Sequence, residues 1–282
     1  MLDCFKDFTC FRQNLFLHAK SHCFYDKILH SFYIRIPMFF SKYSANGNDF
    51  ILTHTFGFQK HAFDELARKI CHRHQGVGAD GLIVLKPHLE YDFEWEFYNC
   101  DGSVAEMCGN GSRAAAMYAY NQGIAGAKQR FLTLAGVIEA TIEGEEVESV
   151  LGVAKVLQEG ICEYGRTWNL LDTGVPHLVC EGGEGLSKED LRALRHKYNA
   201  NVNVAEVLQD RVIARTFERG VEDETLACGT GMAAMFHTLF TLGKIPNPCL
   251  FNPASGEEVF LRESGGKLFL KGKVSKICDF VA

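Results

Sequence analysis

The pattern of apolar and polar residues becomes regular from residue 38 onwards. Short runs rich in β-branched and aromatic residues alternate there with stretches of helical periodicity, which is typical of α/β and α+β folds. One amphipathic stretch, Ala62–His72, predicts a helix. The apolar runs predict strands at Phe50–Thr53, Leu82–Leu85, Phe93–Tyr98, Phe131–Leu134, Val137–Ile142 and Val212–Phe217.

Residues 1–37 lack this regular pattern. Aromatic residues mix there with Lys, His and Cys, without the compact apolar segment and small-residue cleavage site of a secretory signal. We therefore expect an extension outside the fold, with the folded part starting at Met38. A targeting or partner-binding arm is the alternative interpretation.

Two further predicted helices begin at nearly identical turns. The first reads CGNGSRAAAMYAY from Cys108, and the second reads CGTGMAAMFHTLF from Cys228. Each joins a CGxG turn to an Ala-rich helix that is apolar on nearly all sides, so each helix should be buried. The repeat indicates an internal duplication. It predicts an α+β fold of two pseudo-symmetric domains, each a sheet wrapped around a central buried helix. The predicted halves are 38–145, joined by 271–282, and 146–270.

The duplicated cysteines carry the predicted chemistry. A thiol at a helix N-terminus faces unpaired N–H groups and the positive end of the helix dipole, which should lower its pKa and favour a bound anion. If the two halves face each other, the thiols of Cys108 and Cys228 flank one cleft. One thiolate could then remove a proton from a carbon while the opposite thiol supplies one. The sequence thus predicts an enzyme that inverts a stereocentre.

Composition excludes several other classes of protein. The 282 residues carry a net charge of -6 with no basic run, so nucleic acid is not an expected partner. No apolar stretch approaches the roughly 20 residues needed to cross a bilayer. The eleven cysteines show no zinc or disulfide spacing, which favours free thiols in the cytoplasm.

Two weaker motifs are more simply interpreted as ordinary structural features. Gly76, Gly78 and Gly81 satisfy GxGxxG, but this segment precedes a predicted strand, the reverse of a dinucleotide-binding turn. Cys71, His72 and His74 end a predicted helix without a second ligand pair. We therefore predict no metal and no cofactor.

Several ordered motifs resemble the diaminopimelate epimerase family, from Met38 essentially to the C-terminus. That resemblance implies inversion of LL- to meso-diaminopimelate for lysine and peptidoglycan synthesis, without pyridoxal phosphate or metal, in a fold that closes on its substrate. The partner would be a small amino acid, and a homodimer is left open. The matching segments are FSKYSANGNDF (40–50), GVGADGLIVL (76–85), FYNCDGSVAEMCGNGSRAA (97–115), TGVPHLV (173–179), NVNVAEV (201–207) and FERGVEDETLACGTGMAA (217–234).

The resemblance also implies roles for individual residues. Cys108 and Cys228 would be the acid and base pair, and Asn48 would meet the reacting amino group. The backbone of one set would hold the reacting carboxylate: Gly109, Asn110, Gly229 and Thr230. A second set would hold the distal amino-acid end: Asn99, Asn203, Glu218 and Arg219.

The sequence departs from the family pattern at three places. Val175 stands where the family usually has Asn, and Gly81 stands where a Gln is common. The segment before the second CGxG turn is one residue longer, through Glu222 and Asp223. Because the first two changes remove polar groups near the substrate, we hypothesise a looser specificity that extends to glutamate.

The residues alone leave other functions open as alternatives. A proline racemase-like enzyme would share the paired cysteines, and a binding protein of the same fold would be catalytically silent. A cysteine acyl-transfer enzyme would need an orienting His, for which His177 and His237 are the candidates.

Overall fold

The computed structural model describes residues 38–56 and 63–282, so the predicted extension at 1–37 lies outside the described residues. The helices of the described ranges are α1 (Asp64–Ile70), α2 (Gly109–Asn121), α3 (Lys188–Tyr198) and α4 (Gly229–Thr241). The strands are β1 (Phe39–Ala45), β2 (Asn48–His54), β3 (Gly81–Lys86), β4 (Phe93–Asn99), β5 (Lys128–Thr133), β6 (Gly136–Glu143), β7 (Glu146–Gly152), β8 (Lys155–Glu163), β9 (Arg166–Asp172), β10 (Pro176–Glu181), β11 (Asn201–Val207), β12 (Arg211–Glu218), β13 (Asp223–Glu224), β14 (Cys249–Pro253), β15 (Val259–Ser264), β16 (Lys267–Lys273) and β17 (Ser275–Val281).

The strand pairings repeat along the chain. Strands β1 to β7 pair in chain order, and only β2–β3 and β4–β5 are parallel. Strands β9 to β12 and β14 to β16 repeat that order, with β10–β11 and β12–β14 parallel. A helix lies between the members of every parallel pair, because a parallel connection needs a crossover. The predicted α+β fold with internal duplication is therefore confirmed.

The two repeats are joined edge to edge by β7 and β16, which pair antiparallel. At the outer edge of each repeat one more strand is added. Strand β17 pairs with β1 in the first repeat, and β8 pairs with β9 in the second. The last strand of the chain thus takes the position in the first repeat that β8 takes in the second.

Each repeat surrounds one of the two helices that follow a CGxG turn. In the first, Ala115 and Ala119 of α2 are fully buried against aromatic residues such as Phe50 and Phe131. In the second, α4 is buried among side chains from its own sheet, and Phe236 is fully covered. Alanines let the first sheet approach its helix closely, whereas Met and Phe fill the second core. Truncating a buried phenylalanine such as Phe236 to alanine costs about 3–5 kcal/mol.

The strands predicted from the apolar runs are all present, with small shifts in their ends. Strand β5 stops at Thr133, whose hydroxyl donates to the Gly136 carbonyl and closes a turn. The helix predicted at Ala62–His72 ends at Ile70, because the Ile70 carbonyl accepts from the backbone of the returning chain; Ala62 is not among the described residues. In the part of the chain that the structure describes, no helix has the length and apolar character to cross a membrane.

Candidate active site

The two predicted cysteines occupy the same position in the two repeats. Cys108 and Cys228 both have extended backbones and immediately precede the first residue of α2 and α4. The two helices contact each other, and their first turns face the junction of β7 and β16. A Cβ on Gly109 would lie 3.7 Å from Cδ2 of Leu151 in β7, and one on Gly229 would lie 3.5 Å from Cδ1 of Leu270 in β16. The duplication therefore brings both helix N-termini to one place.

Around Cys108 the structure assembles two other predicted residues. The thiol sulfur accepts a hydrogen bond from the Gly111 backbone N–H at 3.4 Å, so Cys108 caps its own helix. The Asn110 side chain donates to Oδ1 of Asn48 at 2.6 Å. The amide of Asn48 in turn donates to Oδ2 of Asp80 at 2.8 Å. Asn48 and Asn110 thus form a hydrogen-bonded pair at the turn that follows Cys108.

Around Cys228 the surroundings are different. Its sulfur lies 3.5 Å from Oγ1 of Thr230, and that hydroxyl lies 3.0 Å from Nε2 of His177. The Asn203 amide nitrogen lies 3.1 Å from Nδ1 of His177, and the Asn201 amide nitrogen lies 3.5 Å from Nε2. The Thr230 hydroxyl therefore lies between the His177 imidazole and the Cys228 sulfur. Burial lowers the pKa of His177 to about 3, so this imidazole is neutral.

The thiol pKa values differ from the sequence-based expectation. Burial raises the pKa of Cys108, while the N–H groups of Gly111 and Asn110 and the charge of Arg113 act against it. Burial also raises the pKa of Cys228, to about 12. The prediction that both pKa values are lowered is therefore wrong, because desolvation of the thiolates outweighs the helix termini. The charge of Cys108 also acts on Cys228, so the two thiols are near enough to interact.

The residues predicted to hold the distal end of the substrate are placed unequally. Glu218 is partly buried, and its charge raises the pKa of both cysteines. The Arg219 guanidinium donates to the Asn199 carbonyl at 3.1 Å. Asn203 is fully buried under α4, where its amide also donates to the Leu178 carbonyl at 3.2 Å.

One neighbour on the same strand was missed by sequence reasoning. Asn201 accepts from the Arg219 backbone N–H at 2.8 Å, so it adjoins the predicted distal residues more directly than Asn203 does. The only signal in the sequence is that NVNV contains two asparagines. Asn99 lies on the other repeat at the end of β4, where its amide donates to Oγ of Ser103 at 3.0 Å.

Two of the three departures from the family pattern have a local structural explanation. A Cβ at Gly81 would lie 2.5 Å from Cε2 of Phe97 and 2.6 Å from the Tyr98 carbonyl oxygen, so glycine is required here. Glu222 has a left-handed backbone with φ of 59° and pairs with Arg195 at 2.6 Å. The longer segment is thus tied to α3, to which Asp223 also pairs through Lys188. Val175 lies in the turn between β9 and β10 and supplies no polar side chain.

The two histidines considered for acyl transfer contact other groups. His177 meets the hydroxyl of Thr230, and Nδ1 of His237 lies 3.4 Å from Glu263. His177 thus reaches the Cys228 sulfur only through Thr230, and His237 is paired with a carboxylate.

Comparison with solved structures shows which proteins share this fold. A PhzF-family phenazine biosynthesis protein from Bacillus anthracis superposes with a TM-score of 0.68 at 14% identity, covering 87% of this chain and 99% of the other. A probable proline racemase from Agrobacterium radiobacter K84 gives 0.65 at 16% identity, covering 86% and 92%. The protein therefore has the fold shared by PhzF proteins and proline racemases.

Sequence relatives define the family. The profile described as diaminopimelate epimerase matches residues 40–157. The diaminopimelate epimerase of a Nitratiruptor species is 57% identical, covering 84% of this chain and 96% of that protein. The corresponding protein of Helicobacter pylori (strain HPAG1) is 44% identical, covering 85% and 94%. The chain belongs to the diaminopimelate epimerase family, and it is an isomerase.

Proposed function

We propose that this protein interconverts LL- and meso-diaminopimelate, using Cys108 and Cys228 as a paired acid and base without a cofactor. The observation that carries the proposal is the equivalent placement of the two cysteines at helix N-termini that meet beside the β7–β16 junction. The names of the relatives supply the substrate, and with it a place in lysine and peptidoglycan synthesis.

In the proposed reaction, the thiolate of one cysteine removes the α-proton from one face of the substrate. The electron pair left on the carbon is delocalised into the adjacent carboxylate. The N–H groups of four residues at the helix starts hold that carboxylate and stabilise its growing charge. The thiol of the other cysteine then protonates the opposite face. Those four residues are Gly109, Asn110, Gly229 and Thr230.

The ends of the substrate would be held by polar residues on both repeats. Asn48 would hydrogen-bond to groups at the reacting centre. Its side chain is already held by hydrogen bonds with Asn110 and Asp80. Glu218 and Arg219, together with Asn99 on the other repeat, would hold the distal amino acid. Since the Asn203 amide is fully used inside the protein, we assign it to orienting His177 and Thr230.

The division into halves is part of the same proposal. The predicted boundaries at 38–145 with 271–282, and at 146–270, would let one half rotate against the other to admit substrate. A cytoplasmic location and the absence of a nucleic-acid partner stay predictions.

Glutamate racemisation stays a prediction as well. Gly81 bears on it less than the sequence suggested, since the packing of Phe97 leaves no room for a longer side chain at that position. Val175 carries the remaining argument, because it supplies no hydrogen bond to a distal carboxylate. Undetectable inversion of glutamate at high enzyme concentration would contradict this prediction.

The test of the main proposal is a stereochemical assay with purified protein. We expect LL-diaminopimelate to convert to the meso isomer until equilibrium is reached. The double variant Cys108→Ala/Cys228→Ala should show no conversion, whereas Cys100→Ala, which removes an exposed thiol, should match the parent protein. Binding of substrate without conversion by the parent protein would contradict the proposal and favour a binding protein of the same fold.

A further inference from the structure

A fully buried arginine lies five residues beyond Cys108. Arg113 has no exposed surface, and its Nη2 donates to the side-chain oxygens of Asn110, at 2.7 Å, and Asn46. Its Nε and Nη1 atoms are buried without a hydrogen-bond partner among the described residues. A buried guanidinium that is only partly hydrogen-bonded carries a substantial desolvation cost. This position is therefore not explained by stability alone.

The internal duplication supplies a direct comparison for this residue. Counting from each cysteine, Arg113 in CGNGSRAA corresponds to Ala233 in CGTGMAAM. Ala233 is fully buried as well, so the two positions are equivalent in burial and differ in charge. The first turn has a buried cation behind it, and the second turn has a methyl group.

We propose that Arg113 is a positioning residue that makes Cys108, rather than Cys228, the thiolate of the resting pair. It would act through its charge and through the Asn110 side chain, which it holds between itself and Asn48. This inference rests on the acid and base roles proposed above.

The charges facing the two thiols support this difference. Arg113 lowers the pKa of Cys108, whereas Glu218 raises it. The main influences on the pKa of Cys228 are burial, Glu218, Thr230, the Gly231 N–H and Cys108, none of which is a cation. In a site of low effective dielectric, one unit charge at close range changes the ratio of the two ionised forms strongly.

Arg113 itself remains charged at neutral pH. Burial lowers its pKa to about 10, while the charges of Cys108 and Glu257 act in the opposite direction. Glu257 also accepts from the Asn46 backbone N–H at 2.7 Å, so this carboxylate lies behind the arginine and its asparagine partner. The guanidinium and the Cys108 thiolate therefore favour each other's charged forms.

This role has a kinetic signature. Because the equilibrium between the two isomers is fixed, removing the charge must lower kcat/KM in both directions by the same factor. The acid limb of the kcat/KM profile should also move to higher pH, since that limb reports ionisation of the free enzyme.

The experiment measures the alkylation rate of each cysteine by iodoacetamide as a function of pH, with the modified peptides identified by mass spectrometry. In the parent protein we expect Cys108 to react at lower pH than Cys228. In Arg113→Met the midpoint for Cys108 should rise by about one pH unit or more, a loss of about tenfold in thiolate at a given pH. The midpoint for Cys228 should not rise. In Arg113→Lys, which keeps the charge, the Cys108 midpoint should lie between those of the parent protein and Arg113→Met.

Lys86→Met is the matched control, because Lys86 is a buried cation of β3, 7% exposed and paired with Glu94 and Glu96. This variant should lose stability without moving the Cys108 midpoint. If Arg113→Met does not fold, the order of reactivity in the parent protein and the Arg113→Lys midpoint still decide. A lower midpoint for Cys228 in the parent protein, or an unchanged Cys108 midpoint in a folded Arg113→Met, would overturn the inference. Alkylation is independent of turnover, so failure of the proposed epimerisation would be seen separately.

Discussion

The two CGxG turns share their backbone geometry but differ in what surrounds each sulfur. Cys108 accepts from a backbone N–H and has the buried Arg113 behind it. Cys228 instead meets the Thr230 hydroxyl, which is backed by the neutral imidazole of His177. Duplication therefore supplies two thiols in equivalent positions, and divergence of their neighbours makes them unequal. An acid and base pair holds one proton at the start of a turnover, so unequal neighbours favour one sulfur as the thiolate.

The largest expected effect comes from removing one thiol at a time. Cys108→Ala and Cys228→Ala should each lower epimerisation by about a thousandfold or more, because inversion requires both an acid and a base. Each variant should still exchange the α-proton of one isomer with deuterated water, since the remaining thiolate can remove and return a proton on its own face. NMR of each isomer measures this exchange. Exchange of both isomers by one variant would contradict the assignment of opposite faces.

The second glycine of each CGxG turn gives the next largest effect, on stability. A Cβ at Gly231 would lie 2.3 Å from Oδ1 of Asn203, whereas one at Gly111 would lie 3.3 Å from the flexible end of Ile83. Gly231→Ala should therefore lower the free energy of unfolding by about 1–3 kcal/mol. Gly111→Ala should be close to neutral, since helix propensity offsets about 1 kcal/mol of crowding. Urea denaturation measures both, and equal losses would mean that the second turn is not the more tightly packed one.

The smallest expected effect tests whether the hydroxyl of Thr230 matters, rather than the volume of its side chain. Thr230→Val keeps the volume but removes the group that joins Cys228 to His177, and it should lower kcat by about tenfold. Thr230→Ser is the matched control and should retain most activity, because its hydroxyl can make the same contacts. If both variants are equally impaired, the hydroxyl is not the part of the side chain that matters.

Much of the fold could be predicted because its signals are local. The apolar runs and the repeated CGxG turns were readable from residue types and spacing alone. Helix α3 was missed although its signals are strong, since Ser187 and Asp190 form a capping box and Asn199 ends the helix in a left-handed conformation. Its apolar face is narrow, with Leu191 and Leu194 buried, so hydrophobic periodicity alone did not indicate it.

The unequal surroundings of the cysteines could not be predicted, because they depend on tertiary contacts. Arg113 lies in the helix that follows the first CGxG turn, and an arginine is ordinarily expected at the protein surface. Only the folded structure shows that it is buried and meets Asn46 from the β1–β2 turn. The direction of the thiol pKa shifts could not be predicted for the same reason, since burial is not visible in the sequence.

The central claim, that two thiols work from opposite faces of one carbon, can be tested most directly by isotope incorporation. The parent protein is incubated with LL-diaminopimelate in deuterated water, and the two isomers are separated at low conversion for mass spectrometry. Paired thiols predict deuterium at the inverted carbon of all meso product, while the remaining LL substrate stays unlabelled. Meso product that retains the original proton, or LL substrate labelled as fast as product forms, would contradict the claim.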